Sequence, residues 1–177
     1  SNASAPFIYV GSGGMDASPE LVALAEQLQA PVLTAYTGKG AFPESHPLSL
    51  GCKMRRDENS YAFLRSRDVA LVVGCRLSGR TLDHGRLPIP DRLIQIDIDA
   101  SSIGIARPVA VGIHADASIA LAALMEELPE TPPTRDLSDI QAVRENDGYK
   151  FSAQESPDIH AALRSVMPAD GMLVNDM

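Results

Sequence analysis

Short, unbroken apolar runs rich in Val and Ile alternate along this chain with longer stretches whose apolar residues recur at helical spacing. Runs of that kind are how strands buried on both faces look in sequence. Their alternation with helical stretches predicts an α/β fold: a doubly wound, mainly parallel sheet of about five or six strands with helices on both faces.

The runs predict strands at Phe7–Val10, Pro31–Ala35, Val69–Val73, Leu93–Ile98 and Val109–Ile113. A helix is expected after the first strand, with Ser18 as cap, Pro19 at its first position, and Leu21, Leu24, Ala25 and Leu28 as its buried stripe. A second is predicted over Asn59–Ser66, and an Ala/Leu-rich third from Asp116 to about Leu128, with a long loop between the second strand and the Asn59 helix. At Glu130-Thr131-Pro132-Pro133-Thr134 the composition turns stiff and polar, as in an interdomain linker. Beyond it stand a helix signal, Ser156 followed by Pro157, and a short apolar run, Met172–Val174. The expected organisation is therefore a domain over 4–129, a linker over 130–156 and the beginning of a further domain over 157–177. Ser1-Asn2-Ala3 reads as the remnant of a cleaved expression tag.

A length of 177 residues suits about one domain with a short surplus. The 15 basic and 23 acidic residues give a net charge of −8, which repels a phosphate polymer and argues against nucleic acid. No apolar run reaches the ~20 residues that cross a bilayer, so a cytoplasmic protein is expected, without a membrane partner. Cys52 and Cys75 stand too far apart for a Cys-x-x-Cys motif and read as buried or partly buried free thiols. His46, His84, His114 and His160 are scattered, so no metal site is expected; nor does any residue stand out as catalytic.

In an open parallel sheet, ligands gather beyond the carboxyl ends of the strands. Gly11-Ser12-Gly13-Gly14 lies there, but Asp16 occupies the third position of the G-x-G-x-x-G fingerprint. Gly13 and Gly14 are thus candidates either for a phosphate turn or for a tight strand-to-helix connection that needs glycine. Thr37-Gly38-Lys39-Gly40 lacks the order of a P-loop. Arg76, with Arg80 and Arg86, past the third strand, suits a diphosphate, with solvated loop arginines as the alternative. Asp97 and Asp99 end the fourth strand and suit a ribose diol, or else cap the following turn. For Asp116 a helix N-cap role is favoured over a ligand role.

Taken in order, Ala30-Pro31-Val32, Thr37 through Glu44, His46-Pro47-Leu48, Leu50-Gly51, Asp68 through Arg76 and Leu93 through Asp99 resemble the middle domain of acetolactate synthase-like thiamine diphosphate enzymes. Asp116 matches that family's aspartate before its last helix, and Pro168 through Asp176 resembles the opening of its diphosphate-binding domain. The resemblance covers about residues 6–128. It implies a Rossmann-like domain of NAD/FAD-binding type, with Gly13, Gly14, Gly38, Lys39, Gly40, Arg76, Arg80, Asp97, Asp99 and Asp116 as candidate cofactor-binding residues.

By the same resemblance, the parent makes or breaks a carbon–carbon bond beside the carbonyl of a 2-keto acid. Thiamine diphosphate and magnesium are held there by N- and C-terminal domains, which are the implied partners, in a homo-oligomer. This chain is expected to be inactive alone. The middle domain holds FAD in acetolactate synthases, an adenine nucleotide in some acyl-CoA lyases, and nothing in several decarboxylases, so FAD or ADP is the cofactor to test. Cys52-Lys53-Met54-Arg55-Arg56 departs from the Gly-Met-His-Gly-type turn of the FAD binders, and Ser78-Gly79 replace their paired aspartates. A standalone nucleotide or flavin module and a purely structural oligomerisation domain are the competing readings.

Overall fold

The computed structural model describes residues 3–52, 58–79, 81–146, 157–168, 170 and 171. They fall into two units, one reaching Asp147 and the other starting at Gly148.

The first unit is built on six strands, β1 (Pro6–Val10), β2 (Val32–Thr34), β3 (Ser49–Cys52), β4 (Val69–Val73), β5 (Leu93–Asp97) and β6 (Val111–His114). All pair in parallel, in the order β3-β2-β1-β4-β5-β6. β1 and β4 are buried at every position, as continuous apolar runs in the middle of a covered sheet require. Phe7 lies opposite Ala70 and Ile8 opposite Leu71, and because β2 and β3 continue the sheet on the β1 side while β5 and β6 continue it on the β4 side, the winding reverses between β1 and β4. A crevice forms at such a reversal.

Helices α1 (Ser18–Leu28), α2 (Glu58–Arg65), α3 (Ala117–Glu126) and α4 (Ser138–Asn146) cover this sheet. α1 packs against α3, and α2 against α4. Leu21 and Leu24 of α1, Leu64 of α2 and Leu121 of α3 join Phe7, Val72 and Ile96 of the sheet in one core. Removing that apolar surface from water is the main favourable contribution to folding. Among the described residues no helix is long and apolar enough to cross a membrane.

The doubly wound α/β expectation holds, and five of the strands fall within one or two residues of their predicted places. Three local expectations are corrected. β3 lies inside the predicted loop: Ser49-Leu50-Gly51-Cys52 is short, and Gly51 has φ of +75°, so no β signal marks it. Ser18 does not cap α1; Ala17 is the N-cap and contributes no side-chain bond, because a six-residue 3-10 helix, Ser12–Ala17, runs directly into α1. The polar stretch after Pro129 contains α4, whose Ile140 and Val143, with Leu137 just before the helix, pack in or against the core. Around it, Arg135 donates to the carbonyls of Leu28, Ser4 and Ala3, Arg67 pairs with Asp139, and Arg144 reaches the carbonyl of His46.

In the second unit, helix α5 (Pro157–Val166) is followed by a turn where Arg164 donates to the carbonyl of Pro168 at 2.6 Å. The expected Ser156 cap and the apolar run Met172–Val174 lie outside the described residues.

Candidate functional site

At the carboxyl ends of β1, β4 and β5 lies a cleft of about 260 Å³. Gly13, Arg76, Asp97, Asp99 and Asp116 line it, together with Ser12 and Ser102. Five of the candidate residues are therefore brought together. Gly14 lies beside them but packs on Val10, Leu21 and Val73. Gly38, Lys39 and Gly40 sit past β2, on the other side of β1: the Gly38 backbone lies against Val10 and Gly11, and Lys39 faces Glu44 at 3.7 Å. Arg80 lies outside the described residues.

Two glycine backbones meet at the floor of the cleft. A β-carbon on Gly74 would come within 2.7 Å of the Gly14 nitrogen, and one on Gly13 within 2.9 Å of the Gly74 α-carbon. Three of the turn's amides are turned inward as well. Gly11 donates to Val73 at 2.9 Å, Gly13 to Gly74 at 3.1 Å and Gly14 to Gly11 at 3.1 Å. These glycines serve the strand-to-helix connection and the contact between β1 and β4.

The carboxylates take up the other backbone donors. Asp99 caps a 3-10 turn, Ala100–Ser102, accepting the Ser101 amide at 3.0 Å, its hydroxyl at 2.6 Å and the Ser102 hydroxyl at 3.1 Å. Asp116 is the N-cap of α3, as the sequence favours, accepting the Ser118 amide at 2.9 Å, its hydroxyl at 2.6 Å and the Ile119 amide at 3.4 Å. Hydrogen bonds to an ionised carboxyl favour that form. The Ser101 hydroxyl and amide accordingly hold Asp99 below its ordinary range, and the Ser118 hydroxyl with the Ile119 and Ser118 amides does the same for Asp116. Asp97 differs from both. It is 8% exposed and its Oδ1 accepts the Asp99 amide at 3.0 Å.

One residue that shapes the cleft was not singled out from sequence. Gln95, 2% exposed, donates to the carbonyls of Cys75 at 3.2 Å and Ser102 at 3.1 Å and accepts the Gly104 amide at 2.9 Å. It ties the β4 loop to the turn after β5. Its signal is a lone amide inside the apolar run Leu93-Ile94-Gln95-Ile96, since a buried polar group needs partners. Both cysteines are free; burial pushes the Cys75 thiol up, away from a reactive thiolate. Among the described residues no three His, Cys, Asp or Glu side chains converge as a metal site.

The family model described as the thiamine pyrophosphate enzyme central domain matches residues 1–124. A probable 2-ketoarginine decarboxylase of Pseudomonas aeruginosa is 30% identical over 97% of this chain and 31% of its own length. A sulfoacetaldehyde acetyltransferase of Rhodobacter capsulatus is 39% identical over 72% of the chain and 23% of its own. A probable acetolactate synthase large subunit of Methanocaldococcus jannaschii is 41% identical over 56% and 17%. The chain thus spans less than a third of the length of these relatives.

Proposed function

The chain belongs to the thiamine pyrophosphate enzyme central-domain family, and from that premise we propose that the whole protein is a thiamine diphosphate- and magnesium-dependent lyase or synthase acting on 2-keto acids. This chain is its non-catalytic central domain. N- and C-terminal domains of the same polypeptide carry the cofactor, and the assembly is a homo-oligomer in the cytoplasm. The observation that carries the reading is the family match together with relatives named as decarboxylase, acetyltransferase and acetolactate synthase.

The central domain contributes a scaffold and, at the reversal between β1 and β4, a cleft for a nucleoside-bearing ligand. The place of the cleft in the sheet and its carboxylates support this. Standalone action as a flavin module is not favoured by the family.

The test is an assay of the full-length gene product on a panel of 2-keto acids. Turnover is expected, abolished when thiamine diphosphate or magnesium is withheld, while this chain alone is silent. Turnover by the chain alone, or turnover indifferent to both cofactors, overturns the reading.

A further inference from the structure

We propose that Arg135 is a positioning residue: with Asp68 it clamps the chain that leads into β1 to the stretch that leads out of α3, and so fixes the flanking domains of the parent to one rigid body. This rests on the reading above that N- and C-terminal domains carry the cofactor. Residues ahead of a first strand are ordinarily loose unless something ties them down. Here Ala3, Ser4 and Ala5 are tied from two sides. Asp68, one residue before β4, accepts the Ser4 amide at 2.6 Å, the Ser4 hydroxyl at 2.9 Å and the Ala5 amide at 3.0 Å, and its own amide donates to the Ala5 carbonyl at 3.1 Å. Arg135 donates to the carbonyl of Ala3 at 3.1 Å and to that of Ser4. Ser4 is exposed, so apolar burial does not explain why it is held. The contacts made by Arg135 are to main-chain carbonyls, which any residue at those positions supplies.

The third hold of Arg135 is on the carbonyl of Leu28, the last residue of α1, at 3.0 Å. A cation is favoured at the carbonyl end of a helix. The rigid fork of a guanidinium also suits carbonyls that arrive from different segments. Arg135 itself belongs to the stretch between α3 and α4, which is fastened on both sides of it. Before it, Gln27 donates to the Pro129 carbonyl. Beyond it, Ile140 is buried, Asp139 pairs with Arg67, and Arg144 reaches the carbonyl of His46. Pro6, Leu28, Val69, Pro129 and Arg135 line one apolar hollow of about 410 Å³ at the amino ends of β1 and β4. The clamp therefore stands on the edge of the sheet opposite the cleft.

Flexible tethers leave joined domains free to sample many separations, whereas a rigid connection presents them at a fixed spacing and a high effective concentration. Domains that together hold one cofactor bind it more tightly in the second case. Arg135 acts on that binding through the chain it holds, without touching the cofactor.

The test uses the full-length gene product, unaltered and as Arg135→Ala, with Val73→Ala as a control that destabilises the same domain from the carboxyl end of β4. Two quantities are read: hydrogen exchange of the Ser4 and Ala5 amides, and the dissociation constant of thiamine diphosphate with magnesium, by calorimetry. Arg135→Ala should speed the exchange about tenfold by easing local opening. It should weaken thiamine diphosphate by about tenfold as well, with kcat at saturating cofactor little changed. Val73→Ala should lower the thermal midpoint and do neither. Arg135→Lys keeps the charge without the fork and should show both effects in smaller measure; it decides the matter if Arg135→Ala does not fold. Unchanged exchange, unchanged cofactor affinity, or the same two effects in Val73→Ala overturns the proposal. An unaltered protein that binds no thiamine diphosphate overturns the reading of the parent and the positioning role together, and it is recognised before any variant is compared.

Discussion

Gly74 has φ of +54° and sits where any β-carbon would strike the Gly13–Gly14 backbone. Its replacement by alanine therefore adds a steric clash in the sheet's centre to an unfavourable backbone angle. Gly74→Ala should cost about 3 kcal/mol in equilibrium urea unfolding. Gly40, with φ of +95° and nothing near its missing side chain, should cost only about 1 kcal/mol. A second residue-scale expectation concerns Asp99 and Asp116, whose folded carboxyls lie below the ordinary aspartate value of about 3.9. A depressed folded value means that the unfolded chain takes up the proton first. Their contribution is then fully present above about pH 4 and disappears as pH falls through the folded values. Thermal midpoints measured from neutral pH downward should be flatter on the acid side for Asp116→Asn than for the unaltered chain, and that variant should already be less stable at neutral pH.

At the scale of elements, α4 is the most informative. Ile140 is 2% exposed and belongs to the same core as Phe7 and Leu64, so Ile140→Ala should destabilise the domain by about 2–4 kcal/mol in equilibrium unfolding. A helix merely resting on the surface would show under 1 kcal/mol. This helix was not legible in sequence because its surroundings are polar and proline-bounded; the residues that pack on the core are only Ile140 and Val143 of the helix and Leu137 just before it, too sparse to stand out by periodicity. β3 was illegible for a related reason. A short strand with glycine at its third position carries no local preference, and its place is decided by pairing with Val32 and Thr34 of β2. β1 and β4, by contrast, were plain from their short uninterrupted runs of apolar and aromatic residues, which burial on both faces explains. The positions of Gly13, Arg76, Asp97, Asp99 and Asp116 in one cleft followed from the same reading, since each was placed just past a strand. What sequence could not give was the direction of the amides and carboxylates within it, which depends on contacts such as that of Gly13 with Gly74.

For the whole molecule, the parallel arrangement gathers every strand end at one edge of the sheet, and the reversal between β1 and β4 determines where along that edge a cleft opens. The chain carries a net charge of −8, which by itself disfavours anionic ligands at low ionic strength. The central pairing of β1 with β4 has a further consequence, for time instead of structure. Phe7 leaves the ribosome before its neighbour Ala70, which is made only after β2, β3 and α2 have been completed. Until then one flank of β1, buried at every position in the folded sheet, has no mate. Joining segments so distant along the chain is intrinsically slow, and the waiting intermediate exposes an open strand edge that invites aggregation.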